Sequence, residues 1–215
     1  MADTHLISGK AAPLDIANLD TDQIMPKQFL RGIDKKGLDE GVLWDLRFDG
    51  DGQVRPEFVL NKPGYADANI LITGPNFGCG SSREHAVWGL QQYGIKAVIA
   101  SGFGEIFYSN AMNNGLAVVM LPQDAVAELL KDASNEDVPL QVEIDVDSLV
   151  VNTGKVSLPF TMSDRHRKMF LDGVDMIGAS LAYENKIAEF AKAHWARQPW
   201  VKDVAARTIL RLRQH

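Results

Sequence analysis

The stretch "NILITGPNFGCGSSREHAVWGLQQYGIKAVIA", residues 69–100, decides the fold. The apolar run at 69–73 reads as a buried strand. A glycine-rich loop follows it. Residues 82–93 have the composition of a helix, and Gly94 stands where a helix commonly ends in glycine. The run at 96–100 reads as a second buried strand. A strand, a helix and a strand in this order imply two parallel strands joined by a right-handed crossover.

The same order continues downstream. A helix is expected over 105–112, ended by "NNG" at 113–115. A third strand is expected over 116–121 and a helix near 124–131. Residues 140–145, 149–151 and 155–160 alternate around "NTGK", which is the mark of a hairpin or meander. Upstream, residues 14–32 read as a strand followed by a polar, Asp-rich loop. Residues 33–68 are rich in Gly, Asp and Pro and are expected to be mostly irregular. Long connections of that kind are commonly functional or part of an interface. The C-terminal part is helical over 176–195. Pro199 then breaks the helix, and residues 200–215 form a basic amphipathic segment. The expected class is α/β, with a parallel βαβ core, an additional β-hairpin and C-terminal helices. The expected organisation is a single domain over 1–195, with a long irregular loop at about 33–68, and a basic helical tail over 196–215.

Composition narrows the function. The chain has 215 residues, 46% of them hydrophobic and 23% charged, as in folded globular proteins. A net charge of −6 gives no support to nucleic-acid binding. No apolar run reaches the length of about 20 residues that a transmembrane helix needs. The first 13 residues lack the pattern of a secretory signal. A single cysteine cannot form an internal disulfide or hold a Cys-ligated cluster alone. The histidines at 5, 85, 166, 194 and 215 show no metal-binding spacing. These features lead to the expectation of a cytoplasmic protein with no metal on this chain, no nucleic-acid partner and no membrane contact.

The glycine loop matches no Walker A, G-x-G-x-x-G or G-x-S-x-G pattern. What remains is a loop with Gly78 and Gly80 that opens a helix, where free N–H groups and the helix dipole favour anions. Ser81 and Glu84 have the spacing of a capping box. Ser81 could equally lie where backbone N–H groups stabilise an alkoxide, and Arg83 could grip a carboxylate. Cys79 as nucleophile would need a base, and His85 is the nearest candidate by number. In the second cluster, Asp20 and Asp22 flank Thr21, with Lys27 and Arg31 downstream. Those carboxylates could bond local backbone in a turn or orient Arg83 or a serine.

"NFGCGSSREHAVWGL", preceded by "NLDTDQIMPKQFL" and followed by "IFYSNAMNNGL", closely resembles the small-subunit family of the 3-isopropylmalate dehydratases (isopropylmalate isomerases), the swivel domain of the aconitase superfamily. The resemblance runs from about residue 10 to about residue 190, and "DLRFD" at 45–49 belongs to it. It implies an aconitase swivel-type β/β/α domain. It implies a hydro-lyase of leucine biosynthesis that interconverts 2- and 3-isopropylmalate through 2-isopropylmaleate. Activity would require a separate large subunit carrying a [4Fe–4S] cluster, in a heterodimer or heterotetramer acting on a small dicarboxylate. By match to the family motif, Ser81 would be the general base and Arg83 would bind a substrate carboxylate. Ser82, Gly78 and Gly80 would line the anion site, and Asp22 would support Ser81 and Arg83. Phe29, Leu30 and Arg31 fall where relatives discriminate substrates. Cys79 becomes a neighbour of the site. The alternatives are the small subunit of a related hydro-lyase, of homoaconitase or methylmalate dehydratase type, and a non-catalytic anion-binding module.

Overall fold

Strand β1 (Leu6–Leu14) divides a seven-stranded sheet of order β4-β3-β2-β1-β5-β6-β7. The computed structural model describes residues 5–30 and 35–213. On one side of β1 the strands β2 (Ile70–Thr73), β3 (Ala97–Ala100) and β4 (Ala117–Met120) are parallel, with Ala11 opposite Ile70 and Ile70 opposite Ala97. On the other side β5 (Gln141–Asp145), β6 (Val150–Asn152) and β7 (Ser157–Pro159) form the antiparallel meander that the alternating sequence implied.

The parallel strands are short, β-branched and apolar because both of their faces are covered. Ala12, Leu14, Leu71 and Val98 point to one core, with α3 (His85–Gln92) and α4 (Glu105–Asn113) supplying Val87, Leu90, Phe107 and Met112. Ala11, Ile70, Ile72 and Ile99 point to the other, under Val126, Leu129 and Ala133 of α5 (Gln123–Ala133). The expected βαβαβ core is therefore present, with α3 and α4 packed on one face and α5 on the other.

One expectation needs correction. The first strand was placed at the start of 14–32, but β1 ends at Leu14 and begins at Leu6. Gly9, Lys10 and Pro13 interrupt its apolar pattern, and proline is rare in a central strand. Among the described residues between β1 and β2 there are only short turns, isolated bridges and two single-turn helices, α1 (Thr21–Ile24) and α2 (Trp44–Arg47), so the connection is mostly irregular as expected. Even so it is a packed layer: Leu38, Val42, Leu43, Leu60 and Tyr65 all lie in the first core. The Tyr65 hydroxyl donates to the Ala133 carbonyl at 2.6 Å. Burial is the larger of two causes that raise the Tyr65 pKa, with the Glu136 charge second.

The chain divides into two compact units, Met1–Asp175 and Met176–His215. The first also carries α6 (Asp164–Asp172), capped by Ser163. The second holds α7 (Met176–Leu181), α8 (Glu184–Arg197) and α9 (Val204–Leu212), with Pro199 between the last two. The helical reading of 176–195 is thus split into two helices. None of the described residues of this unit is buried. Among the described residues no helix is long and apolar enough to cross a membrane.

Candidate functional site

The segments that follow β1, β2 and β3 meet at the carboxyl ends of the parallel strands, the edge at which α/β sheets bind ligands. They prolong the sheet by single bridges, Asp20 to Cys79 and Phe77 to Phe103. Gly78 N–H donates to the Leu19 carbonyl at 2.8 Å, and Thr21 N–H donates to the Cys79 carbonyl at 2.9 Å. Phe77 accepts from Gly104 N–H at 2.9 Å. The loop from Gly74 to Glu84 is therefore tied to both neighbours.

Gly78 makes this possible. It is buried at φ +73°, and a β-carbon there would collide with the Phe107 ring. Only glycine combines that φ with so close an approach. Gly80 also has positive φ, at +98°, and is exposed beside Ser81.

The helix begins later than its sequence pattern indicates. α3 starts at His85, with Glu84 as N-cap and no side-chain cap bond. The Ser81–Glu84 capping box is not formed. The side chains of Ser81, Arg83 and Glu84 are engaged outside the helix. The Glu84 carboxylate accepts from Asn114 Nδ2 at 2.6 Å. Ser81 meets Thr21: the two hydroxyl oxygens are 2.7 Å apart, and Ser81 N–H donates to Thr21 Oγ1 at 3.1 Å. A capping box does exist one loop away. The Asp20 carboxylate accepts from Gln23 N–H at 2.7 Å, and the Gln23 side chain accepts from Asp20 N–H at 3.0 Å. It starts α1 and fixes Thr21 and Asp22 as the first residues of that turn.

Asp22 pairs with the Arg83 guanidinium and lies 3.6 Å from Lys27 Nζ. The Arg83 side chain is 24% exposed and that of Asp22 41%. Ser81, Arg83 and Asp22 are thus gathered at one place. Asp22 bonds the arginine, while Thr21 holds the serine. Ser82 is exposed, and its carbonyl accepts from Asn110 Nδ2 at 3.4 Å. Cys79 is half-buried and its thiol donates to the Asn18 carbonyl at 3.4 Å. His85 packs on Trp88 with ring centroids 4.8 Å apart.

Phe29 and Leu30 pack against the first core, and the Phe29 ring lies 5.2 Å from that of Trp44. Arg31 lies outside the described residues. Among the described residues no three His, Cys, Asp or Glu side chains are grouped so as to hold a metal ion.

Sequence reasoning gave Thr21 no role of its own, and read "NNG" as a helix C-cap only. Asn114 is the C-cap of α4, and it is also a junction. Its side-chain oxygen accepts from Trp88 Nε1 at 2.9 Å, its amide holds Glu84, and its carbonyl accepts from Gln91 Nε2 at 2.7 Å. These bonds tie the end of α4 to α3 and to its N-cap, Glu84. A threonine between two aspartates carries no local signal of such a role, because its partner is 60 residues away.

Comparisons with known proteins agree with this architecture. Residues 1–124 match the model of the aconitase C-terminal domain. The chain is 60% identical over 206 residues to 3-isopropylmalate dehydratase small subunit 1 of Chromobacterium violaceum, covering 96% of this chain and 97% of that one. It is 46% identical over 200 residues to small subunit 2 of the Salmonella typhimurium enzyme, covering 93% and 96%. The crystal structure of 3-isopropylmalate dehydratase from Methanocaldococcus jannaschii superposes with a TM-score of 0.60 at 27% identity, covering 87% of this chain and 99% of that one. With the aconitase-type sheet and a serine–arginine loop at its carboxyl edge, these matches show that the chain belongs to the 3-isopropylmalate dehydratase small-subunit family of aconitase C-terminal domains.

Proposed function

We propose that the chain works with a large subunit to interconvert 2-isopropylmalate and 3-isopropylmalate by dehydration and rehydration, and that Ser81 is its general base. The observation that carries this reading is the convergence of Ser81, Arg83 and Asp22 from segments 61 residues apart. A dehydratase must remove a proton from a carbon next to a carboxylate. That proton is weakly acidic, and the charge that develops adds to a group already negative. A serine hydroxyl takes such a proton only as an alkoxide, and an alkoxide persists only where fixed donors and cations hold it.

The parts available on this chain suit that task. Arg83 keeps one N–H on Asp22 and has others to offer a carboxylate, in the fork geometry that favours carboxylate binding. Asp22 orients the guanidinium, and Lys27 adds positive charge on the same side. The loop backbone is bonded to both neighbouring segments, which keeps the serine oxygen in place. Ser82 and Gly80 are exposed beside it and would line the anion site, with Gly78 setting the turn. The substrate's aliphatic end is assigned to the segment 29–31.

The family's [4Fe–4S] cluster does not fit this chain. The chain has a single cysteine, and no metal-binding group is present among its described residues. The cluster is therefore assigned to the large subunit. A cytoplasmic location goes with this reading.

Co-expression with the large subunit tests the proposal. The complex should form 2-isopropylmaleate, read by the absorbance of its double bond. It should prefer isopropylmalate over homoaconitate and methylmalate in kcat/KM. A complex with no activity on isopropylmalate, or a preference for either of the other acids, contradicts it.

A further inference from the structure

The contact that the assigned mechanism leaves unused is the one between Thr21 and Ser81. The Thr21 side chain is 1% exposed, so water does not compete for its hydroxyl. One lone pair of Thr21 Oγ1 accepts the Ser81 backbone N–H at 3.1 Å. The Thr21 proton then has two destinations: the Ser81 carbonyl at 3.4 Å, or the Ser81 hydroxyl oxygen at 2.7 Å. The shorter is the ordinary length of an O–H···O hydrogen bond, and it leaves the serine oxygen within reach of the threonine proton.

The surrounding charges are committed elsewhere. Of the ionisable groups on the two segments that meet here, the Asp20 carboxylate is on Gln23 N–H, Asp22 is on Arg83, Glu84 is on Asn114, the Cys79 thiol is on the Asn18 carbonyl, His85 packs on Trp88, and Asp15 is exposed. Lys27 joins from the next turn, beside Asp22. Thr21 is a neutral hydroxyl within hydrogen-bond distance of the serine oxygen, and either oxygen can be the donor.

We infer that Thr21 is a positioning residue that stabilises the deprotonated form of Ser81 by donating its hydroxyl hydrogen bond to the serine oxygen. When Ser81 carries its proton, Thr21 turns its own toward the Ser81 carbonyl and accepts from the serine. When Ser81 is an alkoxide, the Thr21 hydroxyl rotates through one torsion and donates to it. No proton leaves Thr21 at any stage. The proton taken from substrate carbon resides on Ser81 alone. The backbone is held for this: Thr21 N–H is tied to the Cys79 carbonyl, and the Asp20–Gln23 box fixes the turn. A β-branched side chain also has few rotamers to explore.

The inference rests on the assignment of Ser81 as base, and its test separates the two. Thr21→Val keeps shape and branching and removes the donor. In the complex with the large subunit, kcat should fall by about 10²–10³-fold, the effect of losing one preorganised donor. KM should change little, and the limb of the pH–kcat/KM profile that reports the base should move to higher pH. Thr21→Ser keeps the hydroxyl and should restore kcat to within about tenfold, with that limb back at its wild-type position. A wild-type complex that is active while Thr21→Val keeps kcat within a few fold overturns the inference alone. So does a fall in kcat with an unmoved pH limb, or a Thr21→Ser variant as impaired as Ser81→Ala. A wild-type complex inactive on isopropylmalate rejects the functional assignment and this inference with it.

Discussion

In the loop of residues 74–84, backbone and side-chain bonds run to the β1–α1 connection, to the β3–α4 connection and to the end of α4. In residues 176–213 the backbone bonds of Tyr183, Ile187, Gln198, Arg207 and Arg213 close turns of the helices and their caps, and no described residue is buried. The first segment is polar and glycine-rich, yet cross-braced on every side. The second is rich in large apolar side chains, and Ile177, Leu181, Phe190, Trp200 and Leu212 are all exposed. Apolar content therefore does not locate the rigid part of this molecule. Order of the first kind comes from long-range partners, and helices as short as α7 and α9 are marginal on local bonds alone.

That contrast can be tested by substitution. The largest effect is expected beneath the serine loop. Phe107 is 2% exposed and packs edge-on to Phe77 with centroids 5.2 Å apart. Phe107→Ala should lower the unfolding free energy by about 3–5 kcal/mol, measured by urea denaturation. It should also loosen Gly78, which touches that ring. Asn114→Ala comes next. It leaves Glu84 and Trp88 without their partner, and should cost about 1–3 kcal/mol. Amide exchange should speed up in the first turn of α3 and leave α5 unchanged. The smallest effect is expected in the C-terminal unit. Leu210 is 60% exposed, and Leu210→Ala should change stability by no more than about 0.5 kcal/mol. A loss there comparable to Phe107→Ala would break the comparison.

The parallel core was legible because strands covered on both faces read as unbroken apolar runs, as at 69–73 and 96–100. The meander was legible from its alternation. The start of β1 was not, because Gly9 and Pro13 mask it. The buried layer at 35–68 was not either, because its apolar residues follow no period. The Ser81–Glu84 spacing gave a capping box that the structure does not form, since tertiary bonds to Thr21 and Asn114 outweigh a cap of about 1 kcal/mol. For the site, Ser81, Arg83 and Asp22 were named by resemblance to a family. Their convergence depends on pairs about 60 residues apart, which no local pattern encodes.

The serine oxygen is the atom on which turnover is expected to depend. Ser81→Ala removes it and leaves the Arg83–Asp22 pair and the loop backbone in place. In the reconstituted complex, kcat for 2-isopropylmalate should fall by about 10²–10⁴-fold, the contribution of a positioned general base. Affinity for the large subunit should stay at the wild-type level. Turnover within a few fold of wild type, in a complex that assembles normally, would contradict the assignment of Ser81 as the base.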